Sequence, residues 1–169
     1  SLHLSRKIWH MGGGLTIISI YNLAGIKRAE AAIILLAVSL IVFLADFARL
    51  KFPKFNGLAL GLLSPFMREE EKSSVSGMPF YALGTGLSFL FFSEKIAILS
   101  ILFLTFSDPI SSLVGVTMGK NKILPNKSLE GSMAGAIICF FITFAGLSFW
   151  GVETNLKLIN FCLMAGILG

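Results

Sequence analysis

The sequence predicts an all-α protein, a polytopic bundle of transmembrane helices. Two observations carry that. Of its 169 residues, 55% are hydrophobic and 14% charged, where soluble domains carry about a quarter charged residues. The apolar residues also fall in runs close to the roughly 20 residues a helix needs to cross a hydrocarbon core about 30 Å thick. The 17 glycines agree, because glycine is commoner in membrane helices than in soluble ones.

Taken in order, the runs predict five spans and a sixth cut short: Ile8–Gly25, Ala29–Phe47, Gly77–Phe92, Ile96–Met118, Ser132–Trp150 and Leu156 to the end. Phe52–Met67 is too broken to cross and reads as an interfacial or re-entrant piece. The whole of 1–169 reads as a single integral-membrane catalytic domain. The chain begins with Ser and stops inside the run Ala-Gly-Ile-Leu-Gly, so a fragment truncated at its C-terminus is expected. The first run carries a histidine and no small-residue cleavage site, which argues against a removed signal peptide.

Charge sets the expected orientation. Arg6, Lys7, Arg49, Lys51, Lys54, Arg68, Lys72, Lys120, Lys122 and Lys127 fall on one side of the membrane; Lys27, Arg28, Lys95 and Lys157 fall on the other. The positive-inside rule then places the N-terminus and the two long polar loops in the cytoplasm. Short loops suit a bacterial inner membrane, with the endoplasmic reticulum as the alternative. The net charge of +5 is explained by this topology, and no aromatic-basic motif points to nucleic acid. Cys139 and Cys162 lie in apolar runs and read as small hydrophobes.

Chemistry enters at Asp108, inside the fourth span. An ionised carboxylate at mid-membrane costs roughly 2.5–3.5 kcal/mol on insertion scales, so it implies a partner or a wet site. Pro109 follows, and Asp then Pro is a helix-start signature. The span is therefore expected to break there. A half-helix start would aim free N–H groups at an anion. Asp108, Ser112, Gly115 and Gly119 share one helical face by spacing, and Gly115 and Gly119 form a small-xxx-small pair that would admit another helix. Lys120, Lys122, Lys127, Ser128, Glu130 and Gly131 follow at once. Lysines, a hydroxyl and acids are what a nucleoside triphosphate with Mg²⁺ requires; a basic loop that only holds topology is the alternative.

Other pieces are weaker. Arg6, Lys7 and His10 open the first span, either as a membrane-edge belt or as part of a site. Gly12-Gly13-Gly14 serves either close helix packing or backbone approach to a ligand. Asp46 and Arg49 are three apart and could pair. Arg68, Glu69 and Glu70 head a charge run that is either a solvated turn or a metal or substrate contact.

Together, Arg6-Lys7-x-x-His10, Arg68-Glu69 ahead of Ser76-Gly77 and Tyr81, and Asp108-Pro109…Gly115…Gly119…Lys127-Ser128-x-Glu130-Gly131-Ser132 resemble the CTP-dependent lipid-alcohol kinases: dolichol kinase, phytol kinase and CTP-dependent diacylglycerol kinase. The resemblance covers nearly the whole chain, and Asp…Lys-Ser-x-Glu-Gly is its specific part. Ser107 stands where that family usually has glycine. The same region is similar to phosphatidate cytidylyltransferases, the second reading; an ion-coupled transporter with Asp108 as its ion site is the third. The kinase resemblance implies transfer of the γ-phosphoryl of CTP to a polyprenol, phytol or diacylglycerol, with membrane lipids around it and self-association left open. Asp108 would hold Mg²⁺, and Glu130 would share it or orient Lys127. Lys127 and Ser128 would contact phosphates, with Gly115, Gly119, Gly131 and Lys120 beside them. Arg6, Lys7 and His10 would close the site, His10 as a candidate base. CTP itself rests on the resemblance alone.

Overall fold

The computed structural model describes residues 4–67, 69–125 and 127–168. Among the described residues eight α-helices follow one another: α1 (Leu4–Leu23), α2 (Arg28–Lys51), α3 (Pro53–Leu63), α4 (Met78–Phe91), α5 (Glu94–Leu102), α6 (Asp108–Thr117), α7 (Leu129–Phe149) and α8 (Leu156–Leu168). A π turn, Phe103–Ser107, joins α5 to α6, and a small antiparallel hairpin pairs β1 (Lys122–Leu124) with β2 (Lys127–Ser128). The all-α membrane class holds.

Three continuous helices are long and apolar enough to cross a membrane: Arg28–Lys51, Glu94–Thr117 and Leu129–Phe149. Met78–Phe91 and Leu156–Leu168 are shorter apolar helices. The first expected span is helical as α1 but falls outside that set; Arg6, Lys7, His10 and three glycines dilute its apolar residues. The interfacial piece is the helix α3, which buries no residue.

The expected break at Asp108-Pro109 does not occur. Ser107 and Asp108 both keep right-handed helical dihedrals, with φ −66° and −61°. A proline inside a helix removes one N–H and crowds the carbonyl four residues earlier. The wider π turn just before it accommodates that conflict without ending the helix.

The chain divides into two compact units. One comprises 4–9 and 17–97. In it α2 packs on α4 at close range: Ser39 O–H donates to the Pro79 carbonyl at 2.7 Å, and a Cβ on Gly86 would lie 3.0 Å from Leu36. Tyr21 packs on Phe89 with ring centroids 4.8 Å apart. The outer side of α2 shows Ile33, Leu40, Ile41, Leu44 and Phe47, as a helix facing lipid does.

At the end of α2 sits a buried ion pair. Arg49 Nε donates to Asp46 Oδ1 at 2.6 Å. The other guanidinium N–H groups reach Asn56 and the carbonyls of Glu71, Lys72 and Ser74. Five contacts match the five N–H donors of arginine. Asp46 Oδ2 accepts from both the backbone and the hydroxyl of Ser76, at 2.7 and 2.6 Å. The pair therefore pins the connection before α4 to the end of α2.

The second unit comprises 10–16 and 98–168. Its α7 carries two stripes. Gly131, Gly135, Cys139 and Thr143 are buried, while Met133, Ile137 and Phe141 are exposed. Small residues inside and large ones outside suit helix packing in lipid, where no hydrophobic force separates helix from solvent.

Candidate active site

The site is built where α6 and α7 cross. The packing seam of α6 is Ser107, Ser111, Gly115 and Gly119, each four residues on. A Cβ on Gly131 would stand 2.7 Å from the Ser111 carbonyl oxygen and 3.0 Å from Gly115 Cα. One on Gly119 would stand 2.5 Å from Ser128 Oγ, and one on Gly135 3.2 Å from Ser107 Oγ. Ser107 O–H also donates to the Gly135 carbonyl at 3.1 Å. Gly115, Gly119 and Gly131, expected at the phosphates, line this contact; a side chain is excluded at Gly119 and Gly131, and at Gly115 it would come 3.1 Å from Ser128 Oγ.

Asp108 and Ser112 are not on that seam. They lie one residue around and are both exposed. Asp108 accepts no hydrogen bond at its carboxylate among the described residues; Ser111 O–H uses its backbone carbonyl instead, at 3.0 Å. The predicted shared face therefore divides into a packed strip of small residues and an open strip with the carboxylate.

Ser128 is buried at 4% exposure. It is the N-cap of α7, and its Oγ accepts from the Gly131 N–H at 3.2 Å. A capping oxygen satisfies one of the first helical N–H groups that have no partner in the helix. The cap uses the oxygen as acceptor and leaves the O–H as a donor. Glu130 is likewise engaged: Asn121 donates to its Oε1 from the backbone at 3.1 Å and from Nδ2 at 3.0 Å. Leu129 N–H returns a bond to the Asn121 carbonyl at 2.8 Å. Glu130 thereby locks the base of the hairpin. Gly131 meets Ser111 and Gly115, and Gly135 meets Ser107 and Ser111, so α6 and α7 run antiparallel, and Asp108 and Glu130 lie about 9 Å apart along the axis at 1.5 Å per residue. Lys120, Lys122 and Lys127 are all exposed, the last two on the hairpin.

His10, on α1, belongs to the same unit. Its Nε2 lies 3.1 Å from the carbonyl oxygen of Leu104, in the π turn. A carbonyl only accepts, so Nε2 carries the proton and donates. Arg6 and Lys7, half-buried at the start of α1, group with the other unit. There Ser5 O–H donates to the Pro65 carbonyl at 2.7 Å, and Trp9 packs on Phe66. A Cβ on Gly12 or Gly13 would meet nothing within 4 Å, which removes close packing as the reason for those two glycines.

Of the acidic loop, Arg68 lies outside the described residues. Glu69 pairs with Lys72 at 2.7 Å on the exposed surface. Glu70 lends its carbonyl to the hydroxyls of Ser73 and Ser74. Glu71 Oε1 accepts from the Gly77 N–H at 3.1 Å. Among the described residues, no three His, Cys, Asp or Glu gather as a metal cluster. The Arg49–Asp46 anchor behind this loop is larger than the sequence suggested. Its i, i+3 spacing was legible, but three of its five acceptors, the carbonyls of Glu71, Lys72 and Ser74, lie 22 to 25 residues away.

Comparison with known proteins now places the chain. It is 34% identical over 139 residues to a CTP-dependent diacylglycerol kinase of Schizosaccharomyces pombe, an alignment covering 75% of this chain and 62% of that protein. It is 29% identical to the CTP-dependent diacylglycerol kinase of Saccharomyces cerevisiae, covering 96% of this chain and 62% of that protein. Over most of its length this chain is thus similar to CTP-dependent diacylglycerol kinases. An uncharacterized protein of Rickettsia prowazekii is 27% identical over 91% of the chain. The chain spans about three-fifths of the length of the two yeast kinases, 62% of each. No family profile matches it, and no solved structure matches it.

Proposed function

We propose that this chain carries the catalytic portion of a CTP-dependent lipid kinase, transferring the γ-phosphoryl of CTP to the hydroxyl of a membrane lipid alcohol. The observation that carries the reading is the alignment of 96% of the chain with a relative named as a CTP-dependent diacylglycerol kinase. Diacylglycerol is therefore the first acceptor to test, ahead of polyprenols and phytol. Three apolar helices of crossing length support an acceptor whose tail lies in the bilayer.

In the reaction, the acceptor oxygen bonds to the γ-phosphorus and the bond from that phosphorus to the β–γ bridging oxygen breaks. CDP leaves, and the hydroxyl proton passes to water. Such transfer is mostly positioning and charge stabilisation. The exposed Lys120, Lys122 and Lys127 would receive phosphates from the aqueous side. Asp108 fits Mg²⁺: it is an open carboxylate without a hydrogen bond among the described residues, and Mg²⁺ is usually held by one or two carboxylates plus substrate phosphates. Bound there, the ion would neutralise charge on the β- and γ-phosphates. Glu130 is assigned to the hairpin, through Asn121, in place of a share in the metal.

Asp108 lies nine residues before Thr117, about 14 Å down the helix at 1.5 Å per residue. That depth favours an acceptor arriving from the membrane. We place the N-terminus, the acidic loop and the hairpin in the cytoplasm, with the bacterial inner membrane as the setting. The test is purified protein in detergent, offered diacylglycerol, polyprenol, phytol and phosphatidic acid, with CTP labelled at the γ- or the α-phosphate. Label from γ in a lipid establishes the kinase and names the acceptor. Label from α in a lipid would mean nucleotidyl transfer and would sink the reading.

A further inference from the structure

Pro109 leaves one carbonyl of the π turn in need of a donor. In the i→i+5 register of a π turn, the donor for Leu104 O is the residue at 109. That residue is a proline and has no N–H. The His10 Nε2–H, on another helix of the same unit, stands 3.1 Å from that oxygen. The next residue, Thr105, is fully buried and turns its hydroxyl back to the Ile101 carbonyl at 2.6 Å. Ser107 is buried against Gly135. The turn is thus held at Leu104, Thr105 and Ser107, and Asp108 emerges from it into the open.

We propose that His10 is a positioning residue for Asp108: its Nε2–H holds the Leu104 carbonyl that Pro109 leaves without an intrahelical donor, and so fixes the π turn from which the carboxylate is aimed. The inference rests on the reading of Asp108 as the metal-holding carboxylate. It gives this histidine a role other than the base that the sequence suggested: with Nε2–H donated to backbone, only Nδ1 could accept a substrate proton. Without that bond the turn can relax toward α register, which shifts the start of α6, Ser107 and Asp108, from the place that the Ser107–Gly135 contact gives it.

Two measurements separate the roles. The first is Mn²⁺ binding to the detergent-purified protein in the presence of CTP, read by electron paramagnetic resonance with no lipid acceptor present. The second is kinase activity against Mg²⁺ concentration across pH. Removing a partner that orients a metal ligand costs about 10- to 100-fold in metal affinity. His10→Ala is therefore expected to weaken Mn²⁺ binding and raise the Mg²⁺ requirement by about tenfold or more, with the shape of the pH profile kept. His10→Gln, whose amide N–H can reach a similar place, is expected to recover most of both. If both variants bind Mn²⁺ like the parent and lose kcat together with one limb of the pH profile, His10 is a base and the proposal is overturned. If Gln fails to rescue a well-folded protein, the hydrogen bond is not what matters and the proposal is overturned. Asp108→Asn is the control: Mn²⁺ binding like the parent in that variant would overturn the metal reading itself, and the His10 proposal with it. Circular dichroism of His10→Ala separates loss of fold from loss of aim, and His10→Gln carries the test if Ala unfolds.

Discussion

Asp108 is the residue proposed to hold the metal, and its surroundings make a clean substitution available. The carboxylate is exposed and takes no part in the α6–α7 seam, so Asp108→Asn should abolish phosphoryl transfer while the helical circular dichroism stays that of the parent. Retained activity would remove the metal role. The glycines give the opposite kind of prediction. Gly131→Ala puts a methyl 2.7 Å from the Ser111 carbonyl oxygen, on backbone that cannot swing aside. Overpacking of this kind costs about 1–3 kcal/mol, to be seen as a lower thermal midpoint in detergent. Gly12→Ala meets nothing within 4 Å and should stabilise α1 by roughly 0.5–1 kcal/mol, the usual gain of Ala over Gly in a helix. Loss of activity in that stabilised variant would assign Gly12 to ligand approach. Unchanged activity would leave its glycine without a ligand role.

The connection between α2 and α4 behaves as an element because one arginine organises it. Arg49, 2% exposed, binds segments from Asp46 to Ser74, and Asp46, 7% exposed, holds Ser76. Arg49→Ala would leave Asp46 buried without its cation, and breaking a buried pair in this way costs about 3–5 kcal/mol. We expect protease cleavage between Glu69 and Ser76 to appear in that variant before any loss of α2 or α4; equal resistance in variant and parent would show that the pair does not pin the segment. The hairpin is an element of the other kind, held at its base by Glu130 and Asn121. Its turn was signalled by Leu-Pro-Asn-Lys at 124–127, a turn composition that a reading focused on lysines passed over.

For the whole molecule the open quantity is orientation. Cys139 and Cys162 are buried at 0% exposure, so single cysteines placed at the surface can be read against a quiet background. Lys122→Cys should react with a membrane-impermeant maleimide only when the cytoplasmic face is accessible, and Lys95→Cys only when the opposite face is. The reverse pattern would invert the topology and put the hairpin out of reach of cytosolic CTP.

Composition and run length determined by themselves that the chain is a helical membrane protein, because apolar excess on this scale has no other stable use. The order of residues also determined that Asp108 stands apart, and the i, i+3 spacing of Asp46 and Arg49 let them meet. Only tertiary structure decided the rest. It kept the helix whole through Pro109, since a π turn can absorb a proline that the one-dimensional rule reads as a start. It separated Gly115 and Gly119 from Asp108, since which of two adjacent strips packs depends on the partner helix and not on the strip's own period. It gave Glu130 to Asn121 and His10 to a carbonyl, because hydrogen-bond partners 9 and 94 residues apart in sequence become neighbours only when the hairpin has closed and the helices have packed.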